Sequence, residues 1–180
     1  DDPDRLAFPL RRGLRWVRHR EELGDDVLVP NVANLFNGAL FSARALEAVG
    51  VPDPRLFVRG DEVEIHRRLR RSGLRFGTCA PATYLHPQGH DDWAPIFGGL
   101  LSVLVPADPV RRAGTSRNLG YLTAQPGLRW RRWPDEVRYL WYFLVQQHDM
   151  SGWRAWRRSS KAGRHELFGA PASPVVTAAG

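Results

Sequence analysis

Two groups of residues have the types and spacing for chemistry. The run Gly60-Asp61-Glu62-Val63-Glu64 places adjacent carboxylates where a helix is expected to begin. There, free backbone N–H groups and the positive end of the helix dipole favour negative charge, and a carboxylate can face a cleft. As neighbours, Asp61 and Glu62 point in different directions, so one can act as general base while the other fixes substrate hydroxyls or its neighbour. Acids at a helix start also occur as plain caps, and the pair alone does not separate the two roles. The second group is His86, which closes the short run Thr83-Tyr84-Leu85 and is held by Pro87. A strand-end histidine one helix and one strand after an acidic pair can reach the same cleft and ligate a divalent metal through a neutral nitrogen, or it can hydrogen-bond to backbone. His90 and Asp91 are alternatives on a nearby loop, and His66, among arginines in mid-helix, reads as surface.

The elements that must position these residues are legible in part. Residues 1 to 30 are mixed; Leu10 to His19 matches neither period well and reads as loop, or as a short strand around Leu14 to Val17 flanked by arginines. Ser42 is a candidate N-cap for a helix from Ala43 to Val49 that stops at Gly50. Leu56 to Val58 reads as a short strand, Asp61 to Gly73 as a helix with acids first and arginines last, and Leu74 to Cys79 as a strand. Gly89 to Pro95 is expected to be an exposed loop, and residues 96 to 105 are ambiguous between strand and helix. Gly98-Gly99 reads as a packing contact. A polar stretch with Arg117 and Asn118 follows, then a helix with Pro134 at its first position running to about Gln147, and another from Trp153 to about Arg164. The tail after Gly169 is expected to fray.

Composition bounds the class. With 180 residues, 43% of them hydrophobic and 25% charged, the chain can build a core of its own. A single cysteine, Cys79, excludes an internal disulfide framework and cysteine-based structural zinc sites. The net charge is +7, and between Arg129 and Arg164 nine basic residues meet three acidic ones. Such a patch suits a diphosphate, an anionic membrane surface or nucleic acid. The longest apolar run, Tyr139 to Val145, has seven residues, far short of a membrane span. The chain opens Asp1-Asp2-Pro3-Asp4 without methionine or signal peptide, as a processed chain or a piece of something longer would. The HExxH, GxxxxGK[ST] and GxSxG patterns are absent.

The segments Asn37-Gly-Ala-Leu-Phe-Ser-Ala-Arg44, Val51-Pro-Asp-Pro-Arg-Leu-Phe-Val-Arg-Gly-Asp-Glu-Val-Glu64 and Ala82-Thr-Tyr-Leu-His86 together resemble the C-terminal part of the catalytic domain of family 2 inverting glycosyltransferases of GT-A fold. The nearest subset is the bacterial galactofuranosyltransferases and related rhamnosyltransferases. The resemblance is clearest from Asn31 to His86 and continues weakly through Arg117-Asn118 to Phe168. It implies an α/β fold, the C-terminal portion of a GT-A type domain with a mixed sheet edge and C-terminal helices. Residues 1–125 would be the acceptor-side part, 126–168 a basic, Trp-rich helical segment, and 169–180 a flexible tail.

By this resemblance Glu62 is the base that deprotonates the acceptor hydroxyl, and Asp61 contacts acceptor or donor sugar. His86 helps to hold Mn2+ or Mg2+ against the donor diphosphate. Asn37, Gly38 and Ala39 pack beneath the donor sugar, and Arg117 lies near the diphosphate or acceptor. The implied reaction moves a sugar, galactofuranose by the nearest subset, from a UDP-sugar to a polyprenyl-diphosphate-linked or glycan acceptor in cell-envelope polysaccharide synthesis. The implied setting is cytoplasmic, peripheral at the inner face of the plasma membrane on an anionic surface, with no nucleic acid. Only 60 residues precede Asp61, where the family's nucleotide-binding half with its Asp-x-Asp motif needs more. Asp2-Pro3-Asp4 has the letters of that motif without a preceding strand. The expectation is therefore an acceptor-side half that lacks much of the donor site and is inactive alone. The competing readings are a basic nucleic-acid- or membrane-binding module, and a noncatalytic remnant.

Overall fold

Short apolar stretches with arginine at their borders pair as a hairpin near the N-terminus, so of the two readings of Leu10 to His19 the strand holds, and a second strand precedes it. In the computed structural model, which describes residues 4–12, 15–24, 28–33, 35, 38–56, 59–82 and 92–168, β1 (Arg5–Arg12) and β2 (Arg15–His19) run antiparallel with Leu10 opposite Val17. Both are buried, in a cluster completed by Leu23 and Val29. Glu22 accepts the backbone N–H groups of Arg18 and His19, each at 3.1 Å, and these bonds hold its carboxyl below the usual range. The strand over Arg5–Arg12 was hidden from periodicity because arginines and prolines interrupt its alternation.

The helices at the middle of the chain follow their sequence signals. Ser42 Oγ accepts the Ala45 N–H at 3.2 Å and opens α1 (Ala43–Val49). Helix α2 spans Asp61–Ser72 and buries Ile65 and Leu69 against Leu35 and Val49. β3 (Leu28–Pro30) pairs antiparallel with β4 (Gly77–Cys79), and at Gly77 a side chain would collide with the Val29 carbonyl. These elements belong to one compact unit, residues 1–52 and 62–88; the other comprises 53–61 and 89–180.

In that second unit the ambiguous run resolves into a hairpin, β5 (Trp93–Ile96) and β6 (Leu101–Leu104). Gly98 and Gly99 make its turn at φ 65° and 90°, with open space where a side chain would go, so they serve conformation and not packing. Trp93 and Pro95, expected on a loop, lie on β5. The polar stretch around Arg117-Asn118 is part of a long helix, α3 (Pro109–Ala124), capped by Asp108 accepting the Arg111 N–H at 2.7 Å. Helix α4 (Arg132–Leu140) starts two residues before Pro134 and continues as a π-helix, Trp141–Gln146. Helix α5 (Met150–Arg164) is capped by Asp149, which accepts the Gly152 N–H at 2.8 Å.

A cluster of Ile96, Val103, Tyr139, Phe143, Trp153 and Trp156 forms the core of this unit. Tyr139 stacks on Trp156 at 4.6 Å between centroids and donates its hydroxyl to the Leu104 carbonyl at 3.0 Å. Beside it, α3 and α5 meet backbone to backbone. A Cβ on Gly120 would overlap the Ser160 carbonyl, and one on Gly163 the Arg117 carbonyl.

The architecture is thus mixed α/β, with small sheets and C-terminal helices. Among the described residues the sheets are three antiparallel pairs and not one mixed sheet edge. Leu56 ends a 3-10 turn, Pro54–Leu56, in place of a strand, while Phe57, Val58, the Thr83–Leu85 run and the tail from Gly169 lie outside the described residues.

The glycines of α3 and α5 give a paired test. Gly163→Ala must push two backbones apart and is expected to cost about 1–3 kcal/mol. Gly114→Ala, on the same α3 with nothing within 4 Å of the new methyl, should instead stabilise by about 0.5–1 kcal/mol. Thermal unfolding of the two variants against wild type measures both signs.

Candidate functional site

The segment that leads to Asp61 is fastened to α3 by two neighbouring side chains, Arg117 and Asn118. Asn118 is 1% exposed, and its Nδ2 donates to two carbonyls of that segment, Leu56 at 3.0 Å and Arg59 at 2.7 Å. Its Oδ1 accepts from Nε and Nη2 of Arg117, both at 3.1 Å. All four hydrogen-bonding positions of the amide are therefore filled, which a buried amide requires. Arg117 Nη2 also donates to the Arg55 carbonyl at 3.1 Å, so carbonyls 55, 56 and 59 are all held from α3.

Side chains lock the same segment from above. Arg55 makes a two-pronged bond to Asp53, Nε to Oδ1 at 3.0 Å and Nη2 to Oδ2 at 2.8 Å, and reaches Glu166 at 3.3 Å. Hydrogen bonding to Asp53 raises the Arg55 pKa further. The guanidinium lies 4.9 Å from the Phe168 ring centroid, and that of Arg117 lies 4.8 Å from the same ring. Two like charges share one ring here, and the carboxylates of Asp53 and Glu166 offset the charge of Arg55; burial lowers the Arg117 pKa. Arg59 adds an ion pair to buried Asp92 at 3.5 Å, which Arg111 completes at 3.1 Å. Gly60 follows at φ 104°, where a side chain would press on Leu122. Asp61 and Glu62 come next as the first residues of α2, both half-buried.

The third carboxylate of the motif is of a different kind. Glu64 is buried and paired with Arg67 at 3.3 Å and Arg68 at 2.6 Å. Arg68 in turn donates to the carbonyls of Val49 and Val51, ending α1. Glu64 is thereby committed to structure. His66, expected at the surface, is half-buried with its ring edge-on to Phe76 at 5.3 Å, and burial followed by the charge of Arg70 lowers its pKa.

Of the remaining sequence candidates, Gly38 (φ 77°) and Ala39 are exposed. Asn37, His86, His90 and Asp91 lie outside the described residues. Among the described residues no group of three or more His, Cys, Asp or Glu could hold a metal ion, and no helix is long and apolar enough to cross a membrane. Sequence reasoning expected Arg117 near a diphosphate or acceptor. Its described contacts place it under the loop that ends at Asp61. The importance of Asn118, Asp92 and Arg55 was missed. For Asn118 a signal existed: a polar residue on the side of α3 that carries Thr115, Tyr121 and Leu122, all buried.

Comparison with known proteins was made on the whole chain. It is 57% identical over 175 residues to the galactofuranosyltransferase GlfT1 of Mycolicibacterium smegmatis, covering 93% of this chain and 58% of the relative. It is 54% identical over 174 residues to GlfT1 of Mycobacterium tuberculosis, covering 95% of this chain and 57% of the relative. The chain therefore spans less than three-fifths of the length of these relatives. No family model and no solved structure matches it.

The clamp is testable without any substrate. Asn118→Ala leaves two carbonyls and the Arg117 guanidinium without their buried partner and is expected to cost about 1–3 kcal/mol. Asn118→Asp presents a carboxylate to those carbonyls and should cost more, whereas Arg44→Ala, on the exposed face of α1, should lie within about 0.5 kcal/mol of wild type. Denaturant unfolding ranks the three.

Proposed function

We propose that the chain belongs with the galactofuranosyltransferases it resembles and takes part in the corresponding activity: inverting transfer of galactofuranose from a UDP-sugar to a polyprenyl-diphosphate-linked or glycan acceptor of the cell envelope. The observation that carries this reading is the 57% identity sustained over 93% of the chain. Inverting transfer is a direct displacement at the anomeric carbon. It needs one carboxylate to take the acceptor proton as the new bond forms, and positive charge to receive the departing diphosphate.

In this reading Glu62 is the base and Asp61 orients a sugar hydroxyl. Glu64 is excluded as the base by its two arginine partners. The loop fixed at three carbonyls ends at Asp61, and a fixed backbone gives that carboxylate a constant position for orienting a hydroxyl. Arg117 contributes from beneath that loop. Asn37, Gly38 and Ala39 would lie under the donor sugar. Mn2+ or Mg2+, with His86 among its ligands, would supply counter-charge to the diphosphate when bound. The setting proposed is the cytoplasmic face of the plasma membrane, reached by peripheral attachment to an anionic surface.

Transfer of radiolabelled galactofuranose to a polyprenyl-diphosphate-linked acceptor tests this. Glu62→Gln is expected to lower kcat by about 10²–10⁴ with little change in donor KM, while Glu64→Gln should act mainly on thermal stability. Undiminished transfer by Glu62→Gln would remove Glu62 from the role. Titration with UDP should show manganese-dependent binding that His86→Ala abolishes; metal-independent binding would argue against the cation.

A further inference from the structure

Helix α4 is apolar on two faces, and only one of them is covered. Asp135, Tyr139 and the following Phe143 are buried, while Trp133, Val137, Leu140 and Trp141 are exposed at the spacing of a helix stripe. Trp130 and Trp133 are each 70% exposed. A continuous exposed stripe with two tryptophans is not the ordinary scatter of surface apolar residues, and it calls for a partner.

The charges beside the stripe are selectively unpaired. Arg131 and Arg138 flank Asp135 at 4.0 and 3.2 Å, and Arg157 faces Glu136 at 3.7 Å. Arg129, Arg132 and Arg164 have no such carboxylate among the described residues. All three line one open pocket of about 560 Å³, together with His165 and with Trp133 from the head of the stripe. Arg129 gives its Nε to the Ala124 carbonyl at 3.2 Å, and Arg164 one Nη to Ser160 Oγ at 3.0 Å. Other donors on each guanidinium remain for a ligand. The Arg164 pKa is lowered first by burial and then by the charge of Arg132, against the opposing pull of Glu136. A second basic hollow of about 490 Å³ shares Arg164 and adds Arg154, Arg157, Arg158 and Lys161.

We propose that the pocket of Arg129, Arg132 and Arg164 binds the phosphate of an anionic membrane lipid, with the Trp133–Val137–Trp141 stripe lying in the bilayer interface beside it. Guanidinium pairs suit a phosphate's oxygens, and tryptophan is the residue that settles at the headgroup level. A nucleic acid or a free phosphate would use the arginines and leave the stripe bare. An apolar protein partner would use the stripe and gain nothing from three unpaired cations. A lipid uses both. This assignment rests on the peripheral attachment proposed above and names the residues that would make it, and vesicle binding tests it apart from the transfer reaction.

Flotation with phosphatidylcholine vesicles, with and without phosphatidylglycerol, tests it on the 180-residue chain. The chain should float with the anionic vesicles. The double variant Arg132→Gln/Arg164→Gln should reduce partitioning about thirtyfold, while Arg44→Gln/Arg75→Gln, which loses the same charge from exposed positions elsewhere, should stay within about threefold of wild type. A second measurement does not depend on charge removal. Tryptophan emission should be quenched by lipids brominated in the upper acyl chain, and Trp130→Phe/Trp133→Phe should lose a large part of that quenching. Equal losses in the two double variants would reduce the effect to net charge and overturn the pocket. Binding to inorganic phosphate or an oligonucleotide without flotation, or absence of any vesicle binding, would overturn the lipid.

Discussion

The second unit depends on how closely α3 and α5 approach. With Gly120 against the Ser160 carbonyl and Gly163 against the Arg117 carbonyl, the two backbones touch without side chains between them. That crossing fixes the face of α3 from which Arg117 and Asn118 reach the loop at residues 55 to 59. It also sets the end of α5, which delivers Glu166 and Phe168 to Arg55. One steric condition at two glycines therefore stands behind the position of the backbone that ends at Asp61. Small residues at such a crossing gain dispersion contacts along both helices, and any added carbon is paid in separation.

The cores divide the chemistry in a simple way. Buried polar groups are concentrated where a backbone segment has to be held. Asn118 serves residues 56 and 59, Asp92 receives Arg59 and Arg111, and Glu64 receives Arg67 and Arg68. The aromatic cluster of α4 and α5 carries almost none of this burden, apart from the Tyr139 hydroxyl on Leu104. Burial raises the pKa of that hydroxyl and of the Asp135 carboxyl next to it in the helix. Such a division lets the helical part present its outer surface freely while the loop clamp keeps its geometry.

What could be read from the sequence was what local chemistry determines. Ser42 as a cap, Gly50 and Gly73 as stops, and Asp61-Glu62 as the start of α2 all depend on a few consecutive residues, and these elements stand where the residue types put them. The hairpin over residues 93–104 was ambiguous because both of its strands are short and apolar, and its glycine turn announces conformation only once the pairing is known. Helix α3 was missed for a related reason. Its interior carries Gly, Thr, Ser and Asn, poor helix formers alone, which are there because α5 lies too close for larger residues and the loop needs an amide. The acidic pair could be nominated from its place before the helix. That Glu64 is paired with Arg67 and Arg68 required side-chain geometry. The role of Arg117 likewise depends on what lies 62 residues away.

The contact between Arg55 and Glu166 joins positions 111 apart in the chain. On the ribosome, the segment from Asp53 to Asp61 emerges long before α3, and longer still before the end of α5. Until α3 has emerged, the carbonyls of residues 55, 56 and 59 have only water, and until Glu166 and Phe168 have left the exit tunnel the Arg55 side chain has only its local partner Asp53. The unit that bears the start of α2 is thus closed only after the end of α5 has been made, 111 residues beyond Arg55, a non-local step of the kind that slows folding. The loop acquires its final shape well after its own turn in synthesis.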